Sequence, residues 1–449
     1  MTETHSKTQT GAGRVKGAGA ISPKGVNPKS DRPNVADPKV ALVPCYSYDQ
    51  QEVERAVACA VRLLGGWAEV LDLPADSRII LKPNLLAKTT PEQACTTHPA
   101  VFEAAGRLMQ QEGYENLVYG DSPGNPMIKV EKVAEGCGLK EAADRLNIPL
   151  GEFEQGTRVD FPQGKAADHF ILCDEVIAAD GIINLCKMKT HQLERITGAV
   201  KNTFGCVYGF NKGASHARFA TAEVFARMLA DLNRLVKPKL HIMDGILAME
   251  GNGPQSGTPK KMNLILASTD PVALDAIFCH LVNLKPQLVP TNVIGAEQGV
   301  GTYDDIEVIT EEGILTAEEA AAGYGDKTFN VQRGAEYRGA LRPVRFLAPL
   351  LEKKPVIKKE KCVGCGICVM ACPVEGKAIE IVSERCACGE KGDRSGSGQN
   401  RAACGQKGVA RYDYSKCIKC YCCQEMCPEE AITVKKSLLA KIADRNWRI

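Results

Sequence analysis

The chain has 449 residues, 44% of them hydrophobic, with 56 basic and 54 acidic side chains and a formal net charge of +2. That is enough apolar matter for a large core and, at about one domain per ~150 residues, for two or three units. The near-neutral balance excludes a global field that would make nucleic acid or an anionic membrane surface the main partner. The apolar runs also fall short of a bilayer crossing. "MNLILAS" (262–268) gives way to Thr269, Asp270 and Pro271, far below the ~20 apolar residues a membrane span needs.

Residues 1–38 are rich in Gly, Ser, Pro and Lys and lack an apolar h-region, so they read as a disordered tail and not as a signal peptide. "GAGRVKG" within them follows no strand and is not taken as a nucleotide loop. From 39 to 335 the chain alternates short apolar runs with amphipathic stretches, an α/β rhythm. Val53, Ala56, Val57, Ala60, Val61 and Leu64 recur at helical spacing before Gly65-Gly66, and "RIILKPN" follows as a strand. The pattern returns in Val224, Met228, Leu229, Leu232 and Leu235, closed by Pro238 and followed by "KLHIMDGI"; "MNLILAS" then leads to a helix opened by Asp270-Pro271. The expected fold is a mainly parallel, helix-covered α/β sheet, whose ligands gather beyond the carboxyl ends of strands.

Four polar or glycine-rich segments fall at those ends: "KPNLLAKTT", "GDSPGNP", "KMKTHQ" and "DGILAMEGNGPQSG". The strand "GIINLC" should deliver Lys187, Lys189 and His191 there, and the following helix carries Lys201 and Asn202. Lys212 and His216 lie four residues apart, on one face if helical. Taken singly, each lysine ordinarily reads as a solvated surface charge and each histidine as a hydrogen-bonding residue without catalytic work. As a cluster they point to a site for a small anionic ligand, with helix N-termini adding amide donors and the glycines at 198, 205, 209 and 213 allowing close approach. Asp121, Asp244 and Glu250 are the acids expected to face the same cleft, although Asp121 and Asp244 also fit the bland role of capping loops. Cys186 and Cys206 flank the cluster; buried, inert thiols are their ordinary reading.

Over roughly residues 39–310 the sequence resembles the family called domain of unknown function 362. The resemblance rests on "LKPNLL" (81–86), "THP" (97–99), "GDSPG" (120–124), "INLCKMKTH" (183–191), "TGAVKNTFGC" (197–206) and "DGILAMEGNGP" (244–254). It implies a fold-level group and a frequent ferredoxin partner domain, but no activity.

Twelve of the twenty cysteines fall between Cys362 and Cys427, and without an export signal they suit a reducing, cytoplasmic setting in which clustered thiols bind metal. "CVGCGICVMACP" and "CIKCYCCQEMCP" both fit the bacterial ferredoxin run Cys-x2-Cys-x2-Cys-x3-Cys-Pro. This resemblance implies two 4Fe-4S clusters in a small α+β dicluster domain (361–436). Cys362, Cys365, Cys368 and Cys427 would hold one, and Cys417, Cys420, Cys423 and Cys372 the other. A zinc pair is the alternative, set back because structural zinc ordinarily uses separated Cys-x2-Cys knuckles. "AIEIV" and "AITV" repeat in register after the two prolines, as paired strands of a duplicated unit would. An insertion at 385–408 carries Cys386, Cys388 and Cys404; with Cys422 these offer a third metal site, against the plainer reading of a flexible Gly/Ser-rich loop. Residues 336–360 read as a linker that packs through Phe346, Leu347, Leu350 and Leu351, and 437–449 as a C-terminal helix.

Electron-transfer clusters beside an anion pocket suggest reduction of a bound anionic substrate, fed by a redox partner protein, with His191, His216 and Asp121 moving protons. The competing reading is a non-enzymatic ferredoxin-like carrier or metalloenzyme assembly factor whose α/β domain docks a partner. A closed cleft over the basic cluster would favour the first, an open apolar patch the second.

Overall fold

The structure, a computed structural model, describes residues 38–125, 128–209, 211–334, 353–384 and 407–435. The expected N-terminal tail, the apolar patch at 346–351, Cys386, Cys388, Cys404 and the C-terminal helix lie outside the described residues.

Among the described residues, eleven strands belong to the α/β part: β1 (Lys39–Pro44), β2 (Ile79–Lys82), β3 (Leu117–Tyr119), β4 (Gly156–Asp160), β5 (His169–Cys173), β6 (Gly181–His191), β7 (Arg195–Thr197), β8 (Leu240–Glu250), β9 (Thr258–Ser268), β10 (Glu307–Thr310) and β11 (Gly313–Leu315). Apart from the β4–β5 hairpin they form one mixed sheet in the order β11-β10-β1-β9-β8-β6-β2-β3, with β7 paired to β6. The half that carries the site, β8-β6-β2-β3, is parallel, as expected, while β9 runs antiparallel between β8 and β1. Period-two side chains feed a core on each face. On β1, Ala41 and Val43 join the core that holds helices Gln50–Leu63 and Pro99–Gln111, whereas Val40 and Leu42 join the one built on helix Pro271–Leu281.

Carboxylates cap two of the helices, the expected start at Asp270 among them. Asp49 accepts from the Gln51 and Glu52 amides, and Asp270 from those of Val272 and Ala273, satisfying N–H groups that a helix cannot pair internally. Strand β6 departs from expectation. It does not stop at Cys186 but runs to His191, with a bulge between Lys187 and Lys189. The basic residues therefore sit on the strand, and 187, 189 and 191 share a face.

In the C-terminal part, β12 (Lys354–Ile357) pairs antiparallel with β15 (Ile432–Lys435), and β13 (Ile379–Glu384) with β14 (Lys407–Tyr412). Two expectations are corrected. "AIEIV" and "AITV" do not pair with each other; each pairs with the strand that precedes the other cysteine run, which interleaves the repeats. And Lys354–Ile357, assigned to the linker, is a strand, because β15 needs an edge partner. This domain docks on the carboxyl edge of the sheet, where Gln424 Nε2 donates to the Asn252 carbonyl at 3.0 Å and Val434 N–H to Asn252 Oδ1 at 3.3 Å. Among the described residues, no helix is long and apolar enough to cross a membrane.

Candidate functional site

Each cysteine run is a tight loop leading into a short helix, Ile367–Ala371 or Cys422–Glu425. Gly364 and Gly366 curl the first loop at φ 70° and 80°, left-handed backbone that side chains resist. In the second loop the matching positions are Lys419 and Tyr421, at φ 60° and 64°. The fold imposes the same curl where glycine is missing. Cys362, Cys365, Cys368 and Cys427 line one small cavity. Burial pushes the Cys368 thiol up to about 12, with Cys427, Cys365 and Cys362 adding to it. Cys417 is pushed up by burial, then by Cys420 and Cys372. Cys427 thus lies with the first three cysteines of the other run, and Cys372 close to Cys417. Donors point at sulfur: the Ala410 amide at Cys362 (3.4 Å), Ala378 at Cys372 (3.3 Å) and Ala431 at Cys427 (3.3 Å), with the Tyr412 hydroxyl 3.0 Å from Cys423. Such donors favour thiolate, the form that binds iron. The residues fit two cubanes, of which Cys362, Cys365, Cys368 and Cys427 would hold one and Cys417, Cys420, Cys423 and Cys372 the other.

Beyond the carboxyl ends of β2, β3 and β6 is a cavity of about 350 Å³. The α/β part contributes Asp121, Lys189, Lys201, Asn202, Lys212 and His216; the ferredoxin-like part contributes Ile367, Met370, Ala371, Cys372, Glu425 and Met426. Lys189 is fully buried, and its ammonium donates to Asn84 Oδ1 at 2.8 Å and the Cys95 carbonyl at 2.6 Å. Lys212, on helix Asn211–Arg218, donates to the Ser122 and Pro123 carbonyls. An ammonium has three donors, so each keeps one for a ligand. Burial brings both lysines down to about 8, opposed by Cys95 at Lys189 and by Asp121 at Lys212. Lys201 is only 9% exposed and has no hydrogen-bond or ion-pair partner among the described residues.

A chain of amides fixes this wall. Asn84 Nδ2 donates to Asn202 Oδ1, and Asn202 Nδ2 to Asn184 Oδ1, both at 2.7 Å. Lys201 and Asn202 ride on the short helix Ala199–Asn202, but its N-terminal amides are not open to an anion as expected. Asp275 accepts from Ala199 N–H at 2.6 Å and Val200 N–H at 3.1 Å. Asp121 forms a buried ion pair with Lys82 at 2.9 Å and accepts from the Leu85 amide at 2.7 Å. Gly205 makes room for it: a Cβ there would lie 1.6 Å from Asp121 Oδ1.

Not every expected residue reaches the cavity. Lys187 is held 2.6 Å from Asp244 Oδ2, and Asp244 also accepts from the Tyr48 hydroxyl and the His98 amide. Burial lowers Lys187 and Asp244 opposes the shift; the pair is structural, and neither residue is in the cavity lining. Glu250 caps Asn330 N–H at 2.7 Å. Cys186 and Cys206 are fully buried and their thiols are raised, Cys206 to about 11. His191 lies behind Glu425. Its Nδ1 accepts from the Leu193 and Glu194 amides, both at 3.1 Å, which leaves the proton on Nε2, 2.7 Å from Glu425 Oε1. His216 stacks on Phe225 with ring centroids 4.3 Å apart. Burial drops both imidazoles to about 4, so neither is an imidazolium near neutral pH. Glu425 is the reverse: burial opposes its charge, but His191 and Lys201 hold it below the usual carboxylate range. Reading the sequence missed Lys82, Asn84, Asn184, Asp275 and Glu425. Lys82 and Asn84 in "LKPNLL" and Asn184 in "INLC", polar residues set in strand-end motifs, carried a local signal.

Residues 79–280 match the family described as Domain of unknown function (DUF362), and residues 353–374 and 410–433 each match a 4Fe-4S binding domain. A thylakoid-associated protein of Synechocystis sp. is 35% identical over 263 residues, which cover 58% of this chain and 79% of that one. Among solved structures, the lactate racemase apoprotein from Thermoanaerobacterium thermosaccharolyticum aligns with 11% identity and a TM-score of 0.36 over 56% of this chain and 58% of that chain. That likeness is too slight to carry an argument.

Proposed function

The chain belongs to the DUF362 family and carries two 4Fe-4S clusters, and from that premise we propose that it binds a small anion between its two domains and presents it for reduction beside the second cluster. One observation carries the reading. A single cavity has Lys189, Lys201 and Lys212 on one side and Cys372, a thiol of the second set, on the other. The clusters supply single electrons, loaded by a redox partner protein in a reducing, cytoplasm-facing setting. The chain's own residues do the rest. Two lysines keep one N–H each for the ligand, Lys201 keeps three, and the amide chain holds their geometry before the ligand arrives, so little is lost in ordering them. Proton supply shifts from the expected histidines to Lys189 and Lys212, whose values near 8 suit an acid at neutral pH. His191 acts by positioning Glu425, and Asp121 by its pairing with Lys82.

Binding of phosphate and acetate to the anaerobically loaded protein, by calorimetry, tests the reading. Lys201→Gln should weaken binding by about 1.5–3 kcal/mol, the worth of a charge-assisted contact, and Lys359→Ala, on the exposed approach to the first run, should change nothing. Equal binding by all three proteins would make the basic wall a structural network and favour the carrier reading.

A further inference from the structure

Resting on the reading of this cavity as an anion site, we infer that its ligand is a monocarboxylate with an apolar body that spans both domains, the carboxylate on the α/β wall and the body against the ferredoxin-like wall. The two walls differ in chemistry. Three of the four lining lysines, Lys189, Lys201 and Lys212, are on the α/β side, whereas helix Ile367–Ala371 presents Ile367, Met370 and Ala371, joined by Met426. Lys377, the cation on that second side, is turned onto the Cys372 carbonyl at 2.6 Å. Thioethers adapt to irregular ligand shapes, and the two methionines give this wall that tolerance. Met370 is 56% exposed while lining the cavity, which places it at the mouth.

Charge and donor supply set the head group. Asp121 and Glu425 share the lining with the ammonium groups of Lys189, Lys201, Lys212 and Lys377, so a second negative charge on the ligand would meet a carboxylate. On the α/β wall five lysine N–H donors remain once contacts among the described residues are counted, one each on Lys189 and Lys212 and three on Lys201, while Lys377 keeps two on the other wall. Two carboxylate oxygens, with about four lone-pair sites, take up such a set. The His216 Nδ1 atom is buried without a hydrogen-bond partner in the same lining and adds one polar position. At about 350 Å³ the space is larger than the head group alone requires; the remainder suits an alkyl or aryl body.

The test is calorimetric titration of the anaerobically loaded full chain with acetate, butanoate, hexanoate and octanoate, and with inorganic phosphate, iron content being checked throughout. Affinity should rise about fourfold per methylene until the cavity is full, hexanoate should outbind phosphate, and Met370→Ser should reduce the slope. If acetate and phosphate bind but the series is flat, the apolar body is overturned and the anion site stands. If no probe binds, the anion-site reading falls and takes this inference with it.

Discussion

Lys187 and Lys189 stand two residues apart on β6, share a face and are both fully buried, yet they belong to different kinds of region. Around Lys187 the protein supplies everything a buried cation needs: Asp244 at 2.6 Å and the Tyr48 hydroxyl at 3.0 Å. Around Lys189, Lys201 and Lys212 no acid closes an ion pair: Lys189 and Lys212 are bonded to neutral oxygens, and Glu425 and Asp121 act on Lys201 and Lys212 only at longer range. Moving charge out of water is costly unless it is paired. A buried cation with its own acid is part of the framework, and one without is waiting for an anion. A basic stretch of sequence does not reveal which is which; the position of Asp244, on the neighbouring strand, does.

The contrast is sharpest in its pH dependence. Lys189 and Lys212 fall from 10.5 to about 8, so between about 8 and 10.5 the unfolded chain holds protons that the folded chain has shed. Stability without ligand should therefore rise with pH across that window, by about 3 kcal/mol for each lysine, followed as the apparent Tm. Anion affinity should fall over the same range as the ammonium groups disappear. A Tm that declines steadily from pH 8 would show these lysines to be favourably paired. Next in size, Lys187→Met should destabilise the protein by about 3–5 kcal/mol, because it strands Asp244. Lys201→Met should instead leave Tm unchanged or higher while losing about 1.5–3 kcal/mol of anion binding. Matching losses of stability in these two variants would erase the distinction between the regions. The smallest effect concerns the histidines. With His191 and His216 held near 4, acetate affinity should be level from pH 6 to 7.5, and a step near 6.5 would show a charged imidazole at the site.

What could be read in the sequence follows the range of the interactions. The cysteine runs, the helix start at Asp270 and the alternation of helix and strand are local patterns, and the structure has them in place. Lys189, Lys201, Asn202, Lys212 and His216 were legible as a group because strand ends in an α/β sheet collect ligands, and the cavity gathers them. Glu425 was not legible. It sits among cysteines in "CYCCQEMC", and its meaning comes from His191, on a strand of the other domain. Asp275 was hidden for the same reason: it caps the helix of Lys201 from a separate element. The fate of Lys187 and the interleaved pairing of β12 to β15 likewise depend on contacts between distant segments, which no local spacing encodes.

The most direct measurement is electron paramagnetic resonance of the anaerobically reduced protein with and without a saturating carboxylate, using Cys420→Ser to identify the signal of the second cluster. We expect the carboxylate to alter that signal alone, because Cys372 shares the cavity with the ligand while Cys365 is exposed elsewhere, and we expect Lys201→Gln to abolish the change. Carboxylate binding that leaves the second signal untouched, or that moves only the first, would contradict a ligand held between the basic wall and the second cluster.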